Sequence, residues 1–384
     1  MSGTIACVGH DGYRAGAQLA LLDTVRWLRL RHGADLVILL VKGGPLVGDY
    51  AVVAPTVVVG VQDSAGPPAA DSARTVRAAR LDRLRRLTPN GVDLVYTNTV
   101  ASVRVVRELK AMWQCPVLCH VRELEMGIRQ HCGVEVFHAA QPFIDAYLAS
   151  TAGVEANLVR NHGVPKSCIH RIPVGISVAR QGLHALGADG THLRRQLGIP
   201  PDAFIVGGAG TTDWRKGSDL FVQVARQVVA RGGQPPIHFV WVGGGGMELE
   251  YLRRDTTKLG LDGRLHWVGS IRDPRGHFSM FGAFLLASRE DPFPLVCLEA
   301  AALQVPTICF RDAGGIPEFV EDDAGFVVPY LDVEAAASNV LALARDPGLR
   351  MRLGSRAGEK VRARHDIEQF GARLVRIFEQ YLAG

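Results

Sequence analysis

Thirteen apolar runs of strand length, five to nine residues each, dominate the sequence, and they fall into two series. The first comprises TIACV (4–8), LVILLV (36–41), AVVAPTVVV (51–59), DLVYT (93–97), PVLCHV (116–121), AYLAS (146–150) and CIHRIPV (168–174). The second comprises FIVGGA (204–209), IHFVWVG (237–243), RLHWVG (264–269), AFLLAS (283–288), PTICF (306–310) and GFVVP (325–329). Stretches of helical period lie between them, at 16–31, 217–231, 294–303 and 333–345 among others. Strand–helix alternation repeated twice implies an α/β chain with two open parallel sheets, each covered by helices on both faces. The length, 384 residues, fits two domains. The seam is expected in 175–201, which is polar, Gly-containing and without a strong strand, and a hinge is placed there. Open parallel sheets bind ligands beyond the carboxyl ends of their strands, so two facing domains predict a cleft lined by the loops that follow strands.

Composition narrows the class. With 47% hydrophobic and 21% charged residues the chain is an ordinary globular one, and its 43 glycines are spread along its length. The net charge of +5 is mixed with acids almost everywhere, so charge does not indicate a nucleic-acid binder. One basic segment, Arg74–Arg86, reads either as a solvated surface helix or as a contact for an anionic membrane surface or acceptor. The start lacks the pattern of a secretory signal, and no apolar run has spanning length. Seven cysteines without a CxxC pair then suggest reduced thiols and a cytoplasmic location. Cys115, Cys119 and His120 do not suit a metal, because 115 and 119 share a strand face that 120 does not.

The loops after strands carry the candidate chemistry. In GHDGYRAG, Gly9, Gly12 and Gly16 have spacing 3 then 4, which disfavours a dinucleotide fold, but a helix opening near Gly16 offers backbone N–H groups to an anion. Close packing of helix on strand explains the same residues. In GTTDWRKGSDLF, Arg215 and Lys216 precede a helix with Ser218 or Asp219 as its cap, a suitable cradle for a diphosphate or simply a solvated loop. His120, Arg122 and Glu123 close the strand PVLCHV; the histidine is either a ligand contact or a packed, hydrogen-bonded residue. Four glycines, 243–246, mark a turn with close backbone approach. In SREDPFPLVCLEAAAL, Pro294 suits a first helical turn and Glu299 reads as a carboxylate in a buried helix, requiring a ligand or a protein partner.

Together, EDPFPLVCLEAAALQVPTICFRDAGGIPEFV, RAGAQLALL, HVREL, RIPVGI, DWRKGSDLF and FGARLVRIFEQYL resemble the family-4 retaining glycosyltransferases of the GT-B fold (glycosyl transferases group 1) along nearly the whole chain. That family's signature places an acid eight positions before a second acid, with a phenylalanine two after the first. Asp291, Phe293 and Glu299 fit it, and Glu290 is one residue early. The resemblance implies two facing Rossmann-like domains: an acceptor-side domain at 1–177, a donor domain at 178–364, and a closing helix at 365–384 packing back on the first. It implies that Asp291 touches donor-sugar hydroxyls and Glu299 the nucleotide ribose, and that the N–H groups of Leu295 and Val296, with Phe293 and Pro294 around them, face sugar and diphosphate. Lys216, with Arg215, corresponds to the diphosphate-binding position, His120 to a histidine near the donor sugar, and Gly16 to a small residue near phosphate and acceptor. Base recognition would fall on Ser270–Asp273, and acceptor recognition on Tyr13, Arg14 and Asn98–Val100. Three positions depart from the family pattern: Thr211 stands where an arginine is usual, Asp291 where glutamate is usual, and Val174 where asparagine is usual.

The expected function is transfer of a sugar from a nucleoside diphosphate sugar to an acceptor hydroxyl with retention, Asp291, Lys216 and His120 acting at the reacting groups. No metal or cofactor is expected. The acceptor would be a glycan, a lipid-linked saccharide or a small molecule, and peripheral contact at the inner membrane face would fit. Alternatives are a GT-B sugar-nucleotide epimerase or phosphorylase, and a non-catalytic sugar-nucleotide-binding subunit.

Overall fold

The computed structural model of the chain describes residues 3–59, 79, 81–178 and 187–382. It contains two compact units, Met1–Gly175 with Ile367–Gly384, and Ile176–Asp366. These seams lie two residues from the ones read in the sequence. The polar stretch taken for a hinge is helical over Gly187–Gln196, and Arg194 donates to the carbonyls of Ala203 (3.0 Å) and Met280 (3.2 Å) within the second unit. Its polarity belongs to an exposed helix surface rather than to an open linker over that span. Of the basic segment Arg74–Arg86, residues 74–78 and 80 lie outside the described residues; 81–87 is helical, with Arg83 exposed.

The first unit holds a parallel sheet of seven strands: β1 Thr4–Gly9, β2 Asp35–Leu40, β3 Thr56–Val58, β4 Leu94–Thr97, β5 Val117–Val121, β6 Ala146–Ala149 and β7 Ile169–Arg171, in the order β3-β2-β1-β4-β5-β6-β7. The strand expected over 51–59 shrinks to three residues. A short helix, Val47–Ala51, reaches into its start, and Pro55 has no N–H for a ladder, so pairing begins at Thr56. Strand alternation feeds two cores: Ile5 and Cys7 pack on one face, Ala6 and Val8 on the other.

The helix Ile367–Leu382 completes the first of those cores. Phe370, Leu374, Ile377 and Phe378, at helical spacing, pack with Leu28, Tyr96, Leu118 and Leu148. Each such side chain contributes about 1.5–3 kcal/mol of burial. A Cβ at Gly371 would sit 2.3 Å from the Trp27 ring, so only glycine admits this approach, and the Trp27 indole N–H donates to Glu368 at 2.9 Å.

The second unit holds six parallel strands: β8 Phe204–Ala209, β9 Ile237–Val242, β10 Leu265–Gly269, β11 Ala283–Leu286, β12 Thr307–Phe310 and β13 Gly325–Val328, in the order β10-β9-β8-β11-β12-β13. Both sheets therefore begin at their centre and wind outwards in each direction, with the order reversing between β1 and β4 and between β8 and β11. In such sheets the crevice at the reversal is where ligands bind. Beside the second reversal, the helix Pro347–Arg364 packs closely on the turn after the helix Leu295–Ala302: a Cβ at Gly354 would lie 2.0 Å from the Gln304 carbonyl oxygen.

Candidate active site

In the second unit, the loops after β8 (210–217) and β11 (287–294) leave adjacent central strands and meet through their backbones. Gly217 has φ 66°, and a Cβ there would lie 1.9 Å from the Ala287 carbonyl oxygen, so two features of the position require glycine. The Arg289 N–H donates to the Arg215 carbonyl at 2.8 Å. A third loop, after β12, supports the second: the Asp291 N–H donates to Ala313 O (2.7 Å), and the Gly315 N–H to Pro292 O (2.8 Å). A Cβ at Gly314 would approach Asp291 O to 1.7 Å. The sequence marks this last contact only as a Gly-Gly pair after a strand.

This framework brings three charged groups together. Lys216 Nζ lies 2.5 Å from Asp291 Oδ2, and Arg215 Nη1 lies 3.7 Å from the same oxygen. Arg215 also donates to the Glu290 carbonyl at 3.2 Å. The Asp291 side chain is 7% exposed, against 15% for Lys216 and 20% for Arg215. Asp291 thus faces both cations, and its neighbour Glu290 is half-buried. Two cations share the Asp291 carboxylate, and a second carboxylate, Asp213, lies on the same loop as both cations. Burial raises the thiol of Cys297, beneath Asp291 and Lys216, well above its usual range, so it stays neutral.

The helix after Arg215–Lys216 starts differently from the expectation. Its cap is Gly217, without a side-chain bond; Asp213 instead accepts the Lys216 N–H at 2.9 Å, and Asp219 binds Arg289. Thr211, at the position where arginine is usual, donates to the other oxygen of Asp213. These groups border a cavity of about 380 Å³ lined by Thr211, Thr212, Asp213, Gly244, Gly245, Glu248 and Ser270, at the carboxyl ends of β8, β9 and β10. A larger cavity, about 550 Å³, opens at the amino-terminal edge of the same sheet, beside Phe204 and Gly282, away from these charges.

The helix Leu295–Ala302 has Pro294 as its cap and no side-chain cap bond, so its first N–H groups receive nothing from that residue's side chain. Leu295, Val296 and Glu299 are half-buried, while Cys297, Leu298 and Ala300 are buried. Glu299 therefore lies on the accessible side of an otherwise apolar helix, not in its buried face as its apolar neighbours suggested. The guanidinium of Arg275, bound to Asp273, lies within electrostatic reach of Glu299. The Phe293 ring stacks on His365 at 5.2 Å and Pro294 is buried, so both shape the loop.

In the first unit, Gly16 begins the helix Gly16–His32, is exposed, and follows a cap, Ala15, with no side-chain bond. At the ends of β1 and β4, Gln18 bonds His10 and Asp11, and Thr99 meets His10 at 3.2 Å. Tyr13 is 60% exposed. Asn98, Thr99 and Val100, expected at an acceptor surface, are buried: Asn98 donates to Ala17 O at 2.7 Å and accepts from Arg122. His120 is also wholly buried, its ring stacked on Phe370, rather than standing open at the strand end. Tyr96 Oη and Arg122 both reach its Nδ1, at 2.8 and 3.3 Å, and arginine can only donate, so Nδ1 accepts and Nε2 carries the proton. Burial, reinforced by Arg122, holds this imidazole neutral, and its Nε2 has no hydrogen-bond partner among the described residues.

The family described as glycosyl transferases group 1 matches residues 189–360. The lipopolysaccharide core biosynthesis glycosyltransferase LpsD of Rhizobium meliloti is 32% identical over 193 residues, covering 50% of this chain and 53% of LpsD. The chain thus spans about half the length of that curated relative, and 47% of the related LpsE. A D-inositol 3-phosphate glycosyltransferase of Corynebacterium efficiens is 25% identical over 387 residues, covering 92% of this chain and 87% of that one. Among solved structures, Anabaena HepE in complex with UDP-glucose aligns with a TM-score of 0.82 at 19% identity, covering 99% of this chain and 100% of HepE. The sucrose-phosphate synthase of Thermosynechococcus elongatus aligns with a TM-score of 0.80 at 21% identity over the full length of both. The chain accordingly has the two Rossmann-like units of the GT-B fold, and its residues 189–360 match the glycosyl transferases group 1 family.

Proposed function

We propose that the protein transfers a glycosyl unit from a nucleoside diphosphate sugar to an acceptor hydroxyl with retention at the anomeric carbon. The observation that carries this reading is the convergence of Arg215 and Lys216 on Asp291 at the reversal between β8 and β11. The main demand of the reaction is to stabilise the departing diphosphate. Two preorganised cations, aided by the N–H groups of Leu295 and Val296, meet that demand in a largely dehydrated setting. The reading therefore includes no metal and no cofactor. Asp291, once Lys216 turns to phosphate, accepts hydroxyls of the donor sugar, and Glu299 accepts those of the ribose. Phe293 and Pro294 hold the loop that presents these groups.

Gly16, at an open helix start, offers N–H groups to phosphate or acceptor. His120 donates its Nε2–H to a sugar hydroxyl. A buried donor without a partner costs roughly 1–3 kcal/mol, which such a hydroxyl would recover after a local shift of the surrounding side chains. Relatives named for lipopolysaccharide core and inositol phosphate chemistry support a saccharide, lipid-linked saccharide or small polyol as acceptor. Among the described residues no helix is long and apolar enough to cross a membrane, and peripheral contact with a membrane bearing the acceptor fits this reading.

The test is a thermal-shift screen of UDP, GDP, dTDP and ADP sugars, beginning with UDP-glucose, followed by transfer assays and determination of the product anomer. Stabilisation by one base series and a product retaining the donor's configuration are expected. Conversion of the sugar nucleotide alone to an epimer would replace the reading with epimerisation, and an inverted product would overturn retention.

A further inference from the structure

Arg289 lies where three loops of the second unit meet, and the family signature assigns it nothing. Its backbone N–H donates to Arg215 O at 2.8 Å, and its carbonyl accepts from Tyr330 Oη at 3.2 Å. Its guanidinium donates to Trp214 O at 2.9 Å and forks onto both oxygens of Asp219, at 2.8 and 2.7 Å. The Trp214 ring, 57% exposed, lies over that guanidinium at 5.4 Å. One side chain thus grips the residue before Arg215–Lys216 and the first turn of the helix after them. Its own backbone leads, two residues on, to Asp291.

The guanidinium is shielded, the Arg289 side chain being 13% exposed, while the Asp219 side chain it grips is 54% exposed. Burial raises the Asp219 carboxyl, but the bonds from Arg289 outweigh this and hold it below its usual range; the same bonds raise Arg289. Both partners stay ionised across ordinary pH, which suits a permanent tie. A lysine could keep the charge but could not satisfy Trp214 O and two carboxylate oxygens with a planar fork.

We propose that Arg289 is a positioning residue for the diphosphate-binding cations: through Trp214 and Asp219 it fixes Arg215 and Lys216 in register with Asp291. This rests on the function proposed above. Arg289 itself touches neither the Lys216 ammonium nor the Asp291 carboxylate in the contacts described, and its effect is geometric. Misplacing a group by about 1 Å can cost about a hundredfold in rate.

The experiment compares wild type with Arg289→Ala, Arg289→Lys and Asp219→Asn. Hydrogen exchange is followed over 210–219 and 287–294, together with donor and acceptor kinetics and melting temperature. In Arg289→Ala, amide exchange in both loops should accelerate about tenfold or more while β8 and β11 keep their protection. Donor kcat/KM should fall about tenfold to a hundredfold with acceptor KM unchanged. Arg289→Lys should recover little of this, and Asp219→Asn, which spares the Trp214 bond, should be intermediate. Unaltered loop exchange, or altered exchange with unaltered donor kinetics, overturns the proposal. Should Arg289→Ala unfold, Arg289→Lys and Asp219→Asn decide by the same criteria. Should wild type transfer sugar from no donor, the function proposed above fails separately. The exchange arm, with inorganic pyrophosphate as probe, then decides: protection of 210–219 in wild type but not in Arg289→Ala supports positioning, and equal or absent protection in both overturns it.

Discussion

At the carboxyl ends of β1 and β4 the first unit gathers His10, Gln18, Asn98 and Thr99 around Asp11, joined by hydrogen bonds to one another and to the backbone. At the corresponding ends of β8 and β11 the second unit gathers Arg215, Lys216 and Asp291 on loops in backbone contact. Strand order is shared up to the sixth strand, so topology explains why each group sits where it does and not what it can do. A net of mostly uncharged hydrogen-bonding groups orients a partner, and each bond in it is worth about 1 kcal/mol. A shielded, ion-paired cluster has stronger preferences: removing one member of a buried ion pair costs about 3–5 kcal/mol. The proposed chemistry accordingly sits at the second reversal, and four measurements would break or sharpen that contrast.

The largest effect is expected from Lys216→Ala. Loss of a preorganised donor to developing charge lowers turnover by about 10²–10³-fold. Near-normal transfer by a folded variant would place the chemistry elsewhere. Next, Asp291→Asn should reduce transfer by about a hundredfold and Glu290→Gln by less than about threefold, since the Asp291 carboxylate pairs with both cations. Steady-state kinetics with the reverse ranking would shift the acidic register by one residue.

The third measurement sets Gly217→Ala against Gly163→Ala, both with φ 66°. In the first unit nothing lies within 4 Å of a Cβ at Gly163, so alanine there meets only the left-handed backbone penalty of about 1 kcal/mol. At Gly217 it also meets the Ala287 carbonyl, which should add about 1–3 kcal/mol in urea denaturation. Equal costs would mean that the second unit's loops part easily.

The fourth concerns acid. Burial, with His266 and Arg264 beside it, depresses His238 of the second unit from 6.5 to about 4. The native imidazole stays neutral while the unfolded one takes up a proton below pH 6.5. The stability is therefore whole above that pH and lost progressively as pH falls towards 4, by up to about 3 kcal/mol. His238→Asn should flatten the second unit's denaturation midpoint between pH 6.5 and 4, and an unchanged slope would assign the acid response to other groups.

The strands were legible because alternation of buried faces leaves a direct trace: FIVGGA is β8 residue for residue, and the helix 333–345 keeps its bounds. The run 51–59 misled because apolar content hides a short helix and a proline that withholds a donor. In the candidate site, Arg215, Lys216 and Asp291 could be named from a motif and the loops that bear them. Their mutual arrangement could not, because it depends on carbonyls of Ala287, Ala313 and Trp214, and every residue has a carbonyl. Asp219 reads in the sequence only as a possible helix cap, because its partner Arg289 lies 70 residues away. A packed His120 is one of its two readings in the sequence, but its stacking partner could not be named, since Phe370 comes 250 positions later.

That separation has a consequence for synthesis. The core of the first unit requires Phe370, Leu374 and Phe378, which follow the whole of the second unit along the chain. While a ribosome makes residues 176–366, the sheet already made has an apolar face awaiting its last helix. The second unit, continuous in sequence, can close first. The unit that is translated earlier therefore finishes later, and during that interval chaperones have most to protect on the face around Trp27, Tyr96 and Leu118.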